Sequence, residues 1–243
     1  GHAGIRLLVS ASRFKTSDYR AMIDQVRPEV PDLAEVVFLD SEDWESLRAR
    51  SENISDKALQ ERADTLSPTD PINIQYTSGT TGSPKGAVLS HRNILNNGFF
   101  VTDLIEFGPQ DRLCTPVPSY HCFGMVMSNL GCTTHGATLV MPSPTFDPAA
   151  TLAAIESERC TAVYGVPTMF IAMLGHPDLA TRDVSTLRTG IMAGSPCPVE
   201  VMKRCIDELN MKEVAIAYGM TETSPVSCQT LSDDTLERRT ETV

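Results

Sequence analysis

The stretch TSGTTGSPKG, over 77–86, packs five Ser or Thr, three Gly, one Pro and one Lys into ten residues. Hydroxyls and glycine amides at that density, closed by the compact ammonium of Lys85, are the chemistry of a polyphosphate grip. Donors abound, and small side chains let the backbone approach an anion. A hairpin reverses in about two to five residues. Ten small residues between the apolar runs of Ile72, Ile74 and Tyr76 and of Ala87, Val88 and Leu89 exceed that need. The pattern is not the standard P-loop, which sets Gly before Lys and a hydroxyl after it, because Pro84 precedes Lys85 and Gly86 follows. Two other short runs, AGSPCP at 193–198 and YGMTET at 218–223, follow apolar segments, and VPSYHCFG at 117–124 carries His121 and Cys122.

Alternating strand-like and helix-like segments would position these residues. Residues 5–11 and 36–39 read as strands flanking a helix on which Tyr19, Met22, Ile23 and Val26 recur at helical spacing. Residues 41–66 are polar and charged and read as short surface helices, and the Pro-rich 67–71 is a stiff boundary. The phosphate loop then lies between two strands, and Ser90 caps a helix near 91–101. Strands are expected at 113–117, 137–141, 161–164 and 187–192, and Asp147-Pro148 starts a helix. Another helix spans 167–174, and 199–209 carries one apolar stripe through Val201, Met202, Cys205, Ile206 and Leu209. Val214, Ala215, Ile216, Ala217 and Tyr218 are apolar at every position, as in a parallel strand covered on both faces. The whole reads as an α/β fold, mostly parallel sheets flanked by helices, with ligands beyond the carboxyl ends of the strands.

The 243 residues carry a formal charge of -11 with no cluster of Lys and Arg, which argues against nucleic acid or an anionic membrane as partner. No apolar run is long enough for a transmembrane segment, and the start lacks a secretory pattern. Seven cysteines, an odd number without a C-x-x-C pair, suit reduced thiols in the cytoplasm or, alternatively, a mitochondrial matrix. Cys114, His121, Cys122, Cys132 and His135 lack the paired short spacing of a structural zinc site. Phe123, Met125, Val126, Met169 and Phe170 are candidates to line an acyl tunnel or simply to pack in the core.

The loop motif, followed 132 residues after Gly86 by YGMTET with AGSPCP between them and VPSYHCFG upstream, resembles the adenylate-forming (AMP-binding) superfamily, in its fatty acyl-CoA synthetase branch. The similarity runs over essentially the whole chain. It implies part of the large N-terminal domain of an ATP-dependent acid-thiol ligase, one that adenylates a medium- to long-chain fatty acid and passes the acyl group to CoA. It further implies that Thr77, Ser78, Gly79, Thr80, Thr81, Gly82, Ser83, Pro84 and Lys85 hold the β- and γ-phosphates of ATP. Gly194, Ser195 and Pro196 would line the adenine pocket, Tyr218 beside Gly219 would stack on the base, and Thr221 would hold the α-phosphate. Glu222 would coordinate Mg2+, and His121 would stand at the carboxylate end of the acyl site. Cys122 is not expected to be a nucleophile.

Members of that branch carry an earlier N-terminal portion, a ribose-gripping Asp in a TGD motif and a C-terminal lid with a catalytic Lys. None of these is found in this sequence, so it reads as a central fragment, inactive by itself. Gly1-His2 is expected to be a cloning remnant, 3–66 a β-α-β segment with a polar helical region, and 67–243 the nucleotide-binding core. Activation of an aryl or amino acid, or a non-catalytic nucleotide-binding interaction module, stand as the alternatives.

Overall fold

The structure, a computed structural model, describes residues 2–78 and 82–241, except for the side chain of Glu241. It divides into two compact units, residues 1–67 and 68–243.

In the first unit, β1 (Leu7–Ser10) pairs in parallel with β4 (Glu35–Phe38), and a small antiparallel ribbon of β2 (Arg13–Phe14) and β3 (Ser17–Asp18) precedes α1 (Tyr19–Val26). Each helix starts where the sequence provides a cap. Asp18 accepts from the Ala21 amide at 3.0 Å, and Ser41 and Ser55 do the same for α2 (Glu42–Ala49) and α3 (Asp56–Asp64).

The second unit opens with an antiparallel ribbon of β5 (Pro71–Thr77) and β6 (Lys85–Ser90), in which Ile74 faces Val88 and Thr77 faces Lys85. Ser90 ends β6 and caps α4 (His91–Asp103) through a reciprocal bond with Asn93, so the ribbon passes into the helix without slack. The main sheet follows in the spatial order β12-β11-β10-β9-β7-β8. Its strands are β7 (Arg112–Cys114), β8 (Thr138–Val140), β9 (Ala162–Gly165), β10 (Thr189–Ala193), β11 (Glu213–Gly219) and β12 (Val226–Gln229), all parallel except β12.

Alternation along the strands builds two cores. Val163, Met192, Val214 and Ile216 face α6 (Pro148–Ser157), α7 (Pro167–Leu174) and α8 (Val199–Glu208), meeting Leu152, Ile155, Phe170, Met173, Met202 and Cys205. Tyr164, Ile191, Ala193, Ala215 and Ala217 face α4 and the π-helix Phe123–Leu130, meeting Val101, Ile105, Phe123 and Met127. The result is a three-layer α/β/α sandwich, as the alternation of strands and helices requires. Among the described residues the remaining α-helices of this unit are α5 (Gly131–His135), which continues the π-helix, and α9 (Leu236–Glu241).

At the amino ends of the strands Asp111, 1% exposed, accepts from Nη2 of Arg188 at 3.0 Å, from the Thr161 hydroxyl at 2.7 Å and from the Gly108 amide at 2.9 Å. Arg188 also donates to Glu213 at 2.8 Å. Burial opposes ionisation of Asp111, but the guanidinium and the two other donors outweigh it and hold the carboxyl below the ordinary carboxylate range. This cluster ties β7, β10 and β11 together at the end of the sheet away from the cavities described below.

Several expectations need correction. The strand expected over 113–117 is limited to Arg112–Cys114. Residues 123–130, to which no element is assigned above, form a π-helix, with the Ser128 hydroxyl donating to the Phe123 carbonyl at 3.3 Å and lying 2.9 Å from the Thr115 hydroxyl. Tyr218, expected to be covered on both sides, is 54% exposed, because the strand emerges from its helical layers after Ala217.

Candidate active site

Two cavities open beyond the carboxyl ends of β10 and β11. One, of about 370 Å3, is lined by Thr77 and Ser78 from the end of β5, by His121, Cys122, Phe123 and Met127, by Ala193 and Gly194 after β10, and by 217–222 with Pro225 and Val226. The other, of about 630 Å3, is lined by Gly194, Ser195, Pro196, Cys197 and Val199, by 216–219 and by Thr240 of α9. Gly194, Ala217, Tyr218 and Gly219 belong to both.

The local chain explains how these residues meet. Gly194 turns the chain away from β10 at φ +91°, a backbone conformation that L side chains rarely adopt, and a Cβ there would lie 3.1 Å from Val166. At Gly219 a close approach decides: a Cβ would fall 1.9 Å from the Pro225 carbonyl oxygen. That oxygen is the hub of the next turn, accepting from the Met220 amide at 2.9 Å and the Thr223 hydroxyl at 2.6 Å. The single 3-10 turn Thr221–Thr223 results, and it presents Thr221 and Glu222 to the smaller cavity.

His121 is fixed from its own chain. Its backbone amide donates to the Pro118 carbonyl at 3.1 Å, and its Nδ1 accepts from the Phe123 amide at 3.1 Å. The Cys122 sulfur lies 3.8 Å from that nitrogen and 3.7 Å from the Thr221 hydroxyl, so the thiol bridges the His121 segment and the 3-10 turn. Burial pushes the Cys122 thiol up, which makes it a poor nucleophile.

The structure therefore brings together Thr77, Ser78, His121, Gly194, Tyr218, Gly219, Thr221 and Glu222 around one cavity, with Ser195 and Pro196 around its neighbour. Gly82, Ser83, Pro84 and Lys85 do not line either cavity; Lys85 is exposed at the mouth of the ribbon opposite Thr77. Gly79, Thr80 and Thr81 lie outside the described residues. Of the suggested acyl-tunnel residues only Phe123 lines the smaller cavity. Val126 packs with Leu89 and Ile94, Phe170 lies in the core under α7, and Met169 packs against the other core. Sequence reasoning missed Met127, Pro225, Val226, Cys197 and Thr240. A helical face shared with Phe123 is a signal for Met127; Thr240 has none.

A family profile described as AMP-binding enzyme matches residues 1–243. The chain belongs to that family. Among curated relatives, the putative acyl-CoA synthetase YngI of Bacillus subtilis is 50% identical over 199 residues, covering 82% of this chain and 36% of the relative. The medium-chain acyl-CoA ligase ACSF2, mitochondrial, of Danio rerio is 43% identical over 256 residues, covering 97% of this chain and 42% of the relative. The chain thus spans about two-fifths of the length of these relatives. The family fold is seen again in the N-terminal domain of FACL13 from Mycobacterium tuberculosis, with a TM-score of 0.73 at 24% identity over 97% of this chain and 56% of that one. MatB from Rhodopseudomonas palustris, solved with ATP bound, gives a TM-score of 0.72 at 25% identity over 96% of this chain and 43% of that one. The α/β architecture with mostly parallel strands is that of the family.

Proposed function

We propose that the protein to which these residues belong is a fatty acyl-CoA synthetase and that residues 1–243 supply its ATP and acyl sites. The observation that carries this reading is the makeup of the 370 Å3 cavity, where hydroxyls, an imidazole and a carboxylate from three separate segments, 77–78, His121 and 218–222, meet an apolar lining of Phe123, Met127, Ala193 and Val226. A carboxylic acid with an aliphatic tail fits that division. The larger neighbour, reached past Tyr218, is of a size and lining that suit a nucleoside. ACSF2 relatives named as medium-chain acyl-CoA ligases support the substrate class.

In the first step a carboxylate oxygen of the acid bonds to the α-phosphorus of ATP and pyrophosphate leaves; in the second the CoA sulfur bonds to the acyl carbon, AMP leaves and the thiol proton goes to solvent. The protein's part in the first is alignment and charge neutralisation. Thr221 donates to the α-phosphate, Thr77, Ser78 and the following loop with Lys85 hold the departing pyrophosphate, Tyr218 flanks the base, and His121 holds the acid's carboxylate. Mg2+ fits Glu222. Among the described residues no three His, Cys, Asp or Glu side chains converge, so the ion would take its other oxygens from nucleotide and water, as hard Mg2+ does. Bound there, it supplies charge that stabilises the leaving group.

The zebrafish and human relatives are mitochondrial by name, which supports a mitochondrial matrix as the compartment. Among the described residues no helix is long and apolar enough to cross a membrane. The test is pyrophosphate release by the whole protein with Mg2+-ATP and CoA, offered octanoate, benzoate or an amino acid. Octanoate-dependent release that Lys85→Ala abolishes is the expected result, and preference for benzoate or an amino acid overturns the fatty-acid assignment.

A further inference from the structure

The edge strand β12 has a partner that is not a strand. The side-chain amide of Asn97, two turns into α4, donates from Nδ2 to the Val226 carbonyl at 2.8 Å and accepts at Oδ1 from the Val226 amide at 3.1 Å. One amide thus satisfies both backbone groups of one residue, as a neighbouring strand would. Asn is a weak helix former, so its place inside α4 works against local propensity. Val226 lines the 370 Å3 cavity, and the residue before it is Pro225, whose carbonyl closes the turn that carries Thr221 and Glu222.

We propose that Asn97 is a positioning residue of this site: by locking Val226 it fixes the downstream end of the turn over 220–225 and so the register in which Thr221 and Glu222 face the cavity. The proposal rests on the adenylation reading for its kinetic consequence, but the clamp itself is independent of it. The helix that bears Asn97 leaves directly from β6, so one rigid element joins the phosphate ribbon to the opposite wall of the cavity. A second amide links the same helix and strand farther along, where Gln229 Nε2 donates to the Val101 carbonyl at 3.1 Å. Gln229 lines neither cavity, which makes it the control.

The experiment compares Asn97→Leu, Asn97→Asp and Gln229→Met in the whole protein. Hydrogen exchange is read at the amides of Met220, Thr223 and Ser224, and steady-state kinetics with ATP and octanoate are run alongside. In Asn97→Leu those amides exchange about tenfold faster than in wild type. Its kcat for pyrophosphate release falls about tenfold to a hundredfold while KM for ATP stays within about threefold, as for a misplaced group and not a lost contact. Asn97→Asp keeps the acceptor for the Val226 amide and falls between. Gln229→Met removes a bond between the same two elements yet leaves kcat and the three amides unchanged. Unaltered exchange at those amides in both Asn97 variants overturns the proposal, as does a kcat loss equal in Gln229→Met and Asn97→Leu. A wild-type protein that releases no pyrophosphate with any acid removes the adenylation reading instead, and the exchange data alone then decide the clamp.

Discussion

Nδ1 of His121 accepts the Phe123 amide at 3.1 Å, and that bond leaves Nε2 to carry the proton of the neutral imidazole. The ring therefore offers a donor, as a bound carboxylate needs. His121→Ala is expected to lower kcat/KM for octanoate about tenfold to a hundredfold, the cost of one hydrogen bond to a charged group. ATP binding should change less than about twofold by the same reasoning. His121→Gln, whose amide nitrogen reaches the Nε2 position, should retain more activity than His121→Asn. Steady-state kinetics of the three variants check the order, and equal losses in Gln and Asn would refute the tautomer.

Glu222→Gln keeps shape and removes charge. The Mg2+ concentration giving half-maximal rate should rise about tenfold or more, while KM for octanoate stays close to wild type. A titration with Mg2+ at fixed ATP reads this directly. Equal increases in both Michaelis constants at unchanged kcat would contradict a role in holding the ion.

Gly219→Ala places a methyl 1.9 Å from the Pro225 carbonyl oxygen, so backbone must shift. Overpacking of this kind costs about 1–3 kcal/mol. Because the displaced carbonyl organises the turn bearing Thr221 and Glu222, pyrophosphate release should fall more than stability does. Thermal unfolding and initial rates measured together separate the two effects.

Asp111→Asn tests the cluster at the far end of the sheet. Its carboxyl titrates below the ordinary value, so its contribution to stability is complete above about pH 4 and disappears as pH falls through the lowered native value. Substitution should cost about 2–4 kcal/mol at neutral pH, where Arg188 loses its buried partner, and should flatten the acid limb of the stability curve. The fraction that remains folded should keep its kcat, since Asp111 touches neither cavity. Denaturant unfolding at a series of pH values checks this.

Local chemistry made much of the architecture readable. Asp147 followed by Pro148 marked the start of α6, where the carboxylate does accept from the Ala150 amide at 2.8 Å. The unbroken apolar run over 214–218 marked a parallel strand, which is buried from Val214 to Ala217. What escaped was set by distant partners. β12 pairs with β11 and is bonded at Val226 by Asn97, 129 residues away, and neither residue announces the other. In the π-helix Phe123–Leu130 Ser128 meets the Thr115 hydroxyl, and periodicity cannot distinguish the wider turn from an ordinary helix over so few residues. Thr77, His121, Thr221 and Glu222 were legible because their motifs are recognisable. Met127 and Val226 were not, because an apolar residue on a cavity wall looks like any other core residue.

The last three residues of β11 form a party wall. Ala217, Tyr218 and Gly219 line both the cavity of about 630 Å3 and that of about 370 Å3. A molecule that immobilises this segment from one cavity relieves a second molecule of that entropic cost in the other, and linkage requires the benefit to be mutual. The nucleoside and the acid would thus sense each other through three residues of backbone as well as through the phosphate at which they react.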